Sequence, residues 1–243
     1  MKRYACILLW ITALSSSASL AGPWDRRQPY SDEVSFTLGA FEPRGASQLW
    51  HQNERDLTVS TEDFDDAIIG ARVGSAINNF VSFDVGASYY DGGTTSEDRR
   101  FTDAFGNPIE QRLRLRLFPV TATLRIMPFG QYRGGDRHHG FMRVVPYFGF
   151  GGGAMLWRYE EKGDFVDTST TPATIFTGRF HSRGITPEYH GVLGVDIQAN
   201  RQVGLFVEGK VSRAKDDLSS DFQGFDKFDL SGGSVSVGTR IRF

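Results

Sequence analysis

The sequence contains very little cysteine and, beyond its first residues, no long apolar run. Cys6 is the one cysteine among 243 residues, so a disulfide framework within the chain is excluded. After residue 14 no stretch approaches the roughly 18 consecutive apolar residues of a membrane-spanning helix. The chain carries 27 basic and 29 acidic side chains. Because nucleic-acid binding needs a basic surface, this balance argues against a nucleic-acid partner.

Clusters that would hold a metal ion or activate a nucleophile are also scarce. His138 and His139 are adjacent, but no third or fourth ligand lies nearby. His181 and Ser182 are also adjacent, and neighbouring side chains on a strand point apart, which makes them a poor nucleophile and base. The acidic run at residues 62–66 lacks the spacing of a calcium loop. We therefore expect no metal, no cofactor and no catalytic residue, and predict that the chain is not an enzyme.

The N-terminus is typical of a secretory signal peptide. Two basic residues precede an apolar run over residues 5–14, and Ala21 closes a small-x-small cleavage site. We expect residues 1–21 to form the signal and residues 22–243 to form one domain. Cleavage would remove two of the 27 basic residues, so that 25 would remain against 29 acidic ones.

The chain does contain alternating apolar and polar residues, which is the signature of strands between two unlike environments. In the stretch 229–243 the alternate apolar-face positions are Val235, Val237, Thr239, Ile241 and Phe243. Seven further segments alternate in the same way. The eight predicted strands cover residues 33–41, 66–75, 80–90, 111–127, 141–157, 187–198, 202–213 and 229–243.

The connections between these segments differ in length by parity. Those after the second, fourth and sixth segments are short or intermediate. Those after the odd segments are predicted to be long polar loops, at residues 42–65, 91–110, 160–186 and 214–228. An even strand number with short turns at one end and long loops at the other is what a transmembrane barrel requires, because closure pairs every backbone polar group. The predicted fold is all-β, an eight-stranded antiparallel up-and-down transmembrane β-barrel.

The fourth segment shows a change of phase at Phe118-Pro119. Before this point three leucines alternate with Arg112, Arg114 and Arg116, and after it the apolar set moves to the other parity. Because a slip of one residue turns a strand's apolar set to the wrong face, we predict a bulge at the proline. The three arginines would bind anionic lipid headgroups or phosphate, or would form a charged face at the upper rim.

One face of each predicted strand would line the lumen of the barrel. The charged or titratable candidates are Arg72, Asp84, Arg125, Glu188, His190, Glu208, Lys210 and Arg240. Buried charges must be paired, and eight strands enclose a space that side chains can fill, so an ion-pair plug is favoured. Glycines at inward positions, such as Gly86 and Gly194, leave free space in the lumen. A conducting pore therefore stays as the alternative interpretation.

The signal, the parity of the loops and the terminal alternation resemble the small eight-stranded outer-membrane β-barrel proteins of Gram-negative bacteria, of the OmpX, OmpA-barrel and OmpW kind. The resemblance covers residues 22–243. It implies export through a cleaved signal to the bacterial outer membrane, and an expected monomer among outer-membrane lipids and lipopolysaccharide. It also implies a signal for the barrel-assembly machinery, formed by Val235, Val237, Thr239, Ile241 and Phe243.

Several functions remain open at this point. The first is a non-enzymatic role in envelope structure, or in surface interaction through long extracellular loops. The second, implied by the OmpW-like proteins, is a narrow channel for small apolar molecules. The third is a lipid-modifying enzyme similar to lipid A deacylases and palmitoyltransferases, for which His181 or His190 with a loop serine would be the only material. A soluble periplasmic β-protein is the last alternative.

Overall fold

The structure, a computed structural model, describes residues 32–133, 140–141, 144–167, 173–199 and 202–243. The predicted signal and the pair His138-His139 lie outside these ranges. Within them, no helix combines the length and the apolar character needed to cross a membrane.

Eight long strands form one antiparallel sheet. They are β1 (Asp32–Pro43), β2 (Asp66–Ala76), β3 (Val81–Thr102), β4 (Pro108–Ile126), β5 (Val144–Asp167), β6 (Thr174–Gln198), β7 (Val203–Asp216) and β8 (Gly232–Arg242). Each strand pairs with the next, and β8 pairs with β1, so the sheet closes on itself. The closing register sets Val34 opposite Ile241 and Ala40 opposite Val235. The predicted eight-stranded antiparallel barrel is confirmed.

Short elements occupy the connections. The helix α1 (Gln48–Asp56) and a 3₁₀ turn at Thr61–Phe64 follow β1, in a segment that the sequence predicted to be loop. A second 3₁₀ turn at Ser220–Phe222 and the two-residue strand Phe228–Asp229 lie between β7 and β8. The two-residue strands Tyr132–Arg133 and Gly140–Phe141 pair with each other between β4 and β5.

The half of the barrel nearer the short turns has apolar side chains outside and polar ones inside. Leu193 and Val235 are 70% and 64% exposed, whereas Asp84 and Glu208 are buried. A continuous band of exposed apolar side chains would be unfavourable in water and indicates a lipid environment. This half therefore has the polarity of a membrane-spanning barrel.

The other half of the barrel has the opposite polarity. Leu113, Leu115 and Leu117 point inward and are buried, and the arginines between them point outward. Tyr90 and Trp157 join the leucines in an apolar core. The strands therefore leave the lipid layer and continue as the wall of a structure with an ordinary protein core.

The predicted bulge at Pro119 is wrong. The register between β4 and β5 runs without a shift from Gln111 opposite Gly163 to Ile126 opposite Phe148. The change of phase in the sequence marks a change of surroundings instead. The inward face passes from apolar core to polar lumen at the point where the outward face passes from charged to apolar.

Two of the four predicted long loops are mostly strand. β3 continues to Thr102 and β4 begins at Pro108, while β5 continues to Asp167 and β6 begins at Thr174. Beyond the lipid layer the outward face of a strand meets water, so the apolar alternation that marks a membrane strand disappears. Backbone pairing continues nonetheless, because it depends on the partner strand and not on side-chain polarity.

Candidate functional site: a lumen closed at two levels

A cluster of buried charges closes the lumen near the short-turn end. Arg125 on β4 forms ion pairs with Asp84 on β3 and Glu33 on β1. Arg240 on β8 forms an ion pair with Asp196 on β6 and lies 3.2 Å from Glu33. All of these side chains are buried. Five charged groups from five strands therefore meet across the barrel axis.

Arg242 completes this cluster, with its guanidinium 3.3 Å from Glu33 and 3.7 Å from Asp196. The cluster then contains three arginines and three carboxylates, so its formal charge is zero. Burial of ionised groups is tolerated only where opposite charges and hydrogen bonds compensate for lost hydration. The ring of Tyr147 adds a cation–π contact, with its centroid 5.3 Å from the Arg125 guanidinium.

A second ion pair lies next to this cluster. Nη1 of Arg72 donates to both carboxylate oxygens of Glu208 at 2.9 Å. The hydroxyl of Tyr147 donates to the same carboxylate at 2.8 Å. The Arg72 guanidinium also lies 5.0 Å from the centroid of the Phe206 ring. Polar and aromatic groups therefore fill the section of lumen that these side chains cross.

A third group joins β6, β7 and β4. Nζ of Lys210 lies 2.9 Å from Glu188, and Nδ1 of His190 lies 3.4 Å from the same carboxylate. Nε2 of His190 is 2.9 Å from the hydroxyl of Thr123. His190 thus has a carboxylate on one side and a threonine on the other.

All eight lumen candidates from the sequence point inward. The structure distributes them over three groups, and it adds three members that sequence reasoning missed: Glu33, Asp196 and Arg242. Strand parity carried the missing signal, because residues two apart share a face of a strand. Glu33 lies two residues from Ser35, Asp196 two from Gly194 and Arg242 two from Arg240. With these three included, the groups contain five cations and five carboxylates among the described residues.

At the level of Arg72 and His190 the described residues leave little free space in the lumen. A cavity of about 60 Å³ lies among Arg72, Thr123 and His190, which is room for a few water molecules. A β-carbon on Gly194 would lie 2.5 Å from the Tyr147 ring, and one on Gly238 would lie 2.4 Å from the Phe206 ring. The space that these glycines leave is therefore taken by aromatic side chains.

An aromatic core closes the outer mouth. Trp50 of α1 is 2% exposed, stacks on Phe228 at 5.5 Å and contacts the edge of Phe64 at 4.9 Å between centroids. Its Nε1 donates to the carbonyl oxygen of Asp229 at 3.2 Å. The helix after β1 and the connection before β8 are thereby joined across the mouth.

A buried polar contact holds α1 against β5. Nδ2 of Asn53 donates to the Tyr159 hydroxyl at 2.8 Å and to Glu161 at 2.9 Å. The Tyr159 hydroxyl donates to Glu161 at 2.6 Å. Burial raises the pKa of Glu161, although these hydrogen bonds act in the opposite direction. No basic side chain forms an ion pair with Glu161 among the described residues.

Among the described residues, neither histidine considered for catalysis forms a hydrogen bond from its ring to a serine hydroxyl. His181 is exposed and lies 3.5 Å from Asp221. Ser182, on the opposite face of β6, is buried and accepts a hydrogen bond from the Ser219 amide at 2.9 Å. His190 contacts Thr123. Within the described ranges, no three His, Cys, Asp or Glu side chains are grouped to hold a metal ion.

Comparison with known proteins gives structural neighbours only. No protein-family model matches the chain, and no curated protein matches it. Neisserial surface protein A is 13% identical, with a TM-score of 0.43 over 87% of this chain and 96% of that one. OprG from Pseudomonas aeruginosa is 13% identical, with a TM-score of 0.46 over 88% and 96%. Ail of Yersinia pestis is 12% identical, with a TM-score of 0.36 over 88% and 97%.

These neighbours are small outer-membrane β-barrels, the group that the sequence resembles. The fold itself is established by the closed ring of strands and by the apolar outer band. The chain is an eight-stranded antiparallel β-barrel with an apolar outer band.

Proposed function

We propose that the chain is a non-enzymatic barrel of the bacterial outer membrane that acts at the outer surface and does not conduct solutes. The observation that carries this proposal is the closure of the lumen at two levels by unlike chemistry. Paired charges fill the membrane part, and the aromatic core under α1 fills the mouth. Because a solute would have to displace both, the closed lumen supports a surface role over the channel alternative.

The parts of the strands that project beyond the lipid layer provide the surface for that role. From Leu156 opposite Ile185, the last row of the apolar band, β5 and β6 stay paired as far as Asp167 opposite Thr174. That length is on the order of 35 Å of strand at about 3.4 Å per residue. The hairpin of β3 and β4 also projects, with its strand pairing ending at Thr102 opposite Pro108.

Both projections carry exposed apolar side chains far from the lipid layer. Phe105, in the turn between β3 and β4, is 91% exposed. Ile175 and Phe176 on β6 are each 43% exposed, and the Phe176 ring stacks on Phe165 at 5.8 Å. Exposed apolar patches on a folded protein mark contact surfaces. We call Phe105, Ile175 and Phe176 the tip residues and infer that they contact a partner surface outside the cell.

Single-channel recording in planar lipid bilayers tests the closed state. The purified barrel is expected to give no discrete current steps, because the lumen charges are paired and the mouth is packed. Heat-modifiable gel mobility of the same preparation checks that it contains the folded barrel. Reproducible steps that disappear after heat denaturation would contradict the proposal and support the narrow channel.

A further inference from the structure

Three neighbouring strands place basic side chains in rows on the outer face, just beyond the apolar band. The register sets Arg116, Arg158 and Arg183 directly opposite one another on β4, β5 and β6. We call these three residues the basic row. The two rows above it are Arg114–Glu160–His181 and Arg112–Lys162–Arg179. The three rows together are called the basic patch.

Ion pairs within the protein neutralise only part of this charge. Asp91 pairs with Arg114 and Arg116 at 2.6 and 3.3 Å. Glu160 pairs with Arg158 and Arg179 at 3.1 and 2.9 Å. Asp91 and Glu160 therefore pair with four of the seven lysine and arginine side chains of the patch, and a third carboxylate, Asp221, lies 3.5 Å from His181.

Three of the seven cations form no ion pair with a described residue: Arg112, Lys162 and Arg183. In addition, Nε of Arg158 has no hydrogen-bond partner among the described atoms. Like charges directly opposite each other on adjacent strands are destabilising. A patch that keeps such an excess of positive charge is suited to an anion that comes from outside the chain.

The position of the basic patch along the strands, directly above the apolar band, indicates the kind of anion that the patch would bind. Two residues below the basic row, the outward side chains are Phe118, Leu156 and Ile185, which also lie opposite one another. These three, called the apolar row, are 42%, 38% and 67% exposed. Two strand residues span about 7 Å, so guanidinium groups and exposed apolar side chains adjoin on one face.

The face therefore matches a molecule with an anionic head and apolar tails. Bidentate guanidinium groups suit phosphate oxygens, and they do so more specifically than lysine does. Acyl chains of the same molecule would lie along the apolar row and the band below it. A soluble anion would use the basic row and leave the apolar row unmatched.

We propose that the basic patch binds the phosphate groups of a phosphorylated glycolipid in the outer leaflet, with the basic row as its centre. This inference rests on the proposed residence in the outer membrane. It does not depend on whether the lumen conducts. The bilayer recordings can therefore contradict the closed lumen without affecting this inference, and the lipid measurement can contradict this inference without affecting the closed lumen.

Native mass spectrometry of the purified barrel in detergent tests the proposal. The probe is a bisphosphorylated lipid A, and the matched lipid is the same molecule with both phosphates removed. The wild-type chain is expected to prefer the phosphorylated lipid by about tenfold or more, since charge-assisted hydrogen bonds to phosphate are strong. The triple variant Arg116→Gln, Arg158→Gln and Arg183→Gln is expected to lose that preference.

A matched variant separates the patch from net charge. Arg44→Gln, Arg55→Gln and Arg100→Gln remove the same three charges from exposed extracellular positions outside the patch and should leave the preference within about twofold of wild type. Heat-modifiable mobility checks that both variants fold.

Three outcomes would overturn the proposal. The first is equal binding of the two lipids by the wild-type chain. The second is an unchanged preference in the variant that lacks the basic row. The third is full competition by millimolar free pyrophosphate, which would assign the patch to a soluble phosphate and not to a lipid.

Discussion

Glu161 should make the contact between α1 and β5 at the outer mouth dependent on pH. Because burial raises its pKa, the folded state holds the proton more tightly than the unfolded chain does. Its contribution to stability is therefore greatest below the ordinary pKa of 4.5 and falls as the pH rises through the raised value. The contact between α1 and β5 should weaken from acidic to neutral pH.

The variant Glu161→Gln should remove this pH dependence. Glutamine keeps an oxygen that can accept from Asn53 and Tyr159, but it carries no charge to bury. Amide hydrogen exchange of α1, corrected for intrinsic rates, is expected to slow by about tenfold relative to wild type at pH 7 and to change little at pH 4.

The adjacent Glu160 provides the matched control. Hydrogen bonding from Arg179 is the largest influence on Glu160 and lowers its pKa, so the sign of its contribution is opposite and its stabilisation is lost as the pH falls. Because this side chain is partly solvated, Glu160→Gln should have a much smaller effect. Equal pH profiles for wild type and Glu161→Gln would contradict the assignment.

Single residues also show where sequence reasoning reached its limit. Alternation predicted that Arg72, Asp84 and Glu208 point into the lumen, because parity determines the face of a strand. It did not predict that Arg72 pairs with Glu208 while Asp84 pairs with Arg125. Those partners come from strands that are distant in sequence and depend on how the closed ring is staggered.

At the scale of an element, α1 is the part that closes the mouth. Trp50→Ala removes the side chain that joins the helix to Phe228 and Phe64. Truncating a buried tryptophan to alanine costs about 3–5 kcal/mol, so α1 should detach from the aromatic core. Tryptic cleavage after Arg55 is expected to accelerate by about tenfold or more, because proteolysis follows the population of the open form.

The same variant should stay silent in planar bilayers, because the charge cluster around Arg125 still closes the lumen below. Gln52→Ala, on the exposed side of the helix, is the control and should cleave at close to the wild-type rate. Discrete currents from Trp50→Ala would show that the mouth is the only effective barrier and would contradict closure at two levels.

The helix itself was not predicted from the sequence. Its nine residues are too few for a stable isolated helix, and the segment is polar apart from Leu49 and Trp50. It forms because those two side chains pack into the aromatic core. The strands beyond the lipid layer were missed for a related reason, since their outward positions, such as Thr95 and Glu97, carry no apolar signal.

At the scale of the whole molecule, the tip residues should govern contact with other surfaces. Gram-negative bacteria that display the chain are expected to adhere to hydrophobic polystyrene more than bacteria without it. The variant Phe105→Ser, Ile175→Ser and Phe176→Ser should return adherence to the level without the chain, because it removes the exposed apolar area at both hairpin ends.

The control for adherence is Thr95→Ser with Thr102→Ser, two exposed positions on β3 in the first of the two projections, which change little apolar area. Surface labelling must show equal display of all variants. Undiminished adherence of the tip variant would contradict a contact role for these side chains.

The architecture was predictable because eight alternating segments and the parity of their connections allow few folds other than a barrel. The predicted signal for the assembly machinery stays a prediction. The structure places Val235, Val237 and Ile241 on the outward face of β8 as part of the apolar band.

The reversal of polarity along β4 also fixes the depth at which the molecule sits. If the barrel sank by two residues, the basic row would enter hydrocarbon, where each arginine costs up to about 2–4 kcal/mol at the midplane. If it rose by two residues, the apolar row would pass into water. The position of this reversal along β4 therefore sets the level of the membrane surface, and a membrane that does not match it would have to deform around the protein.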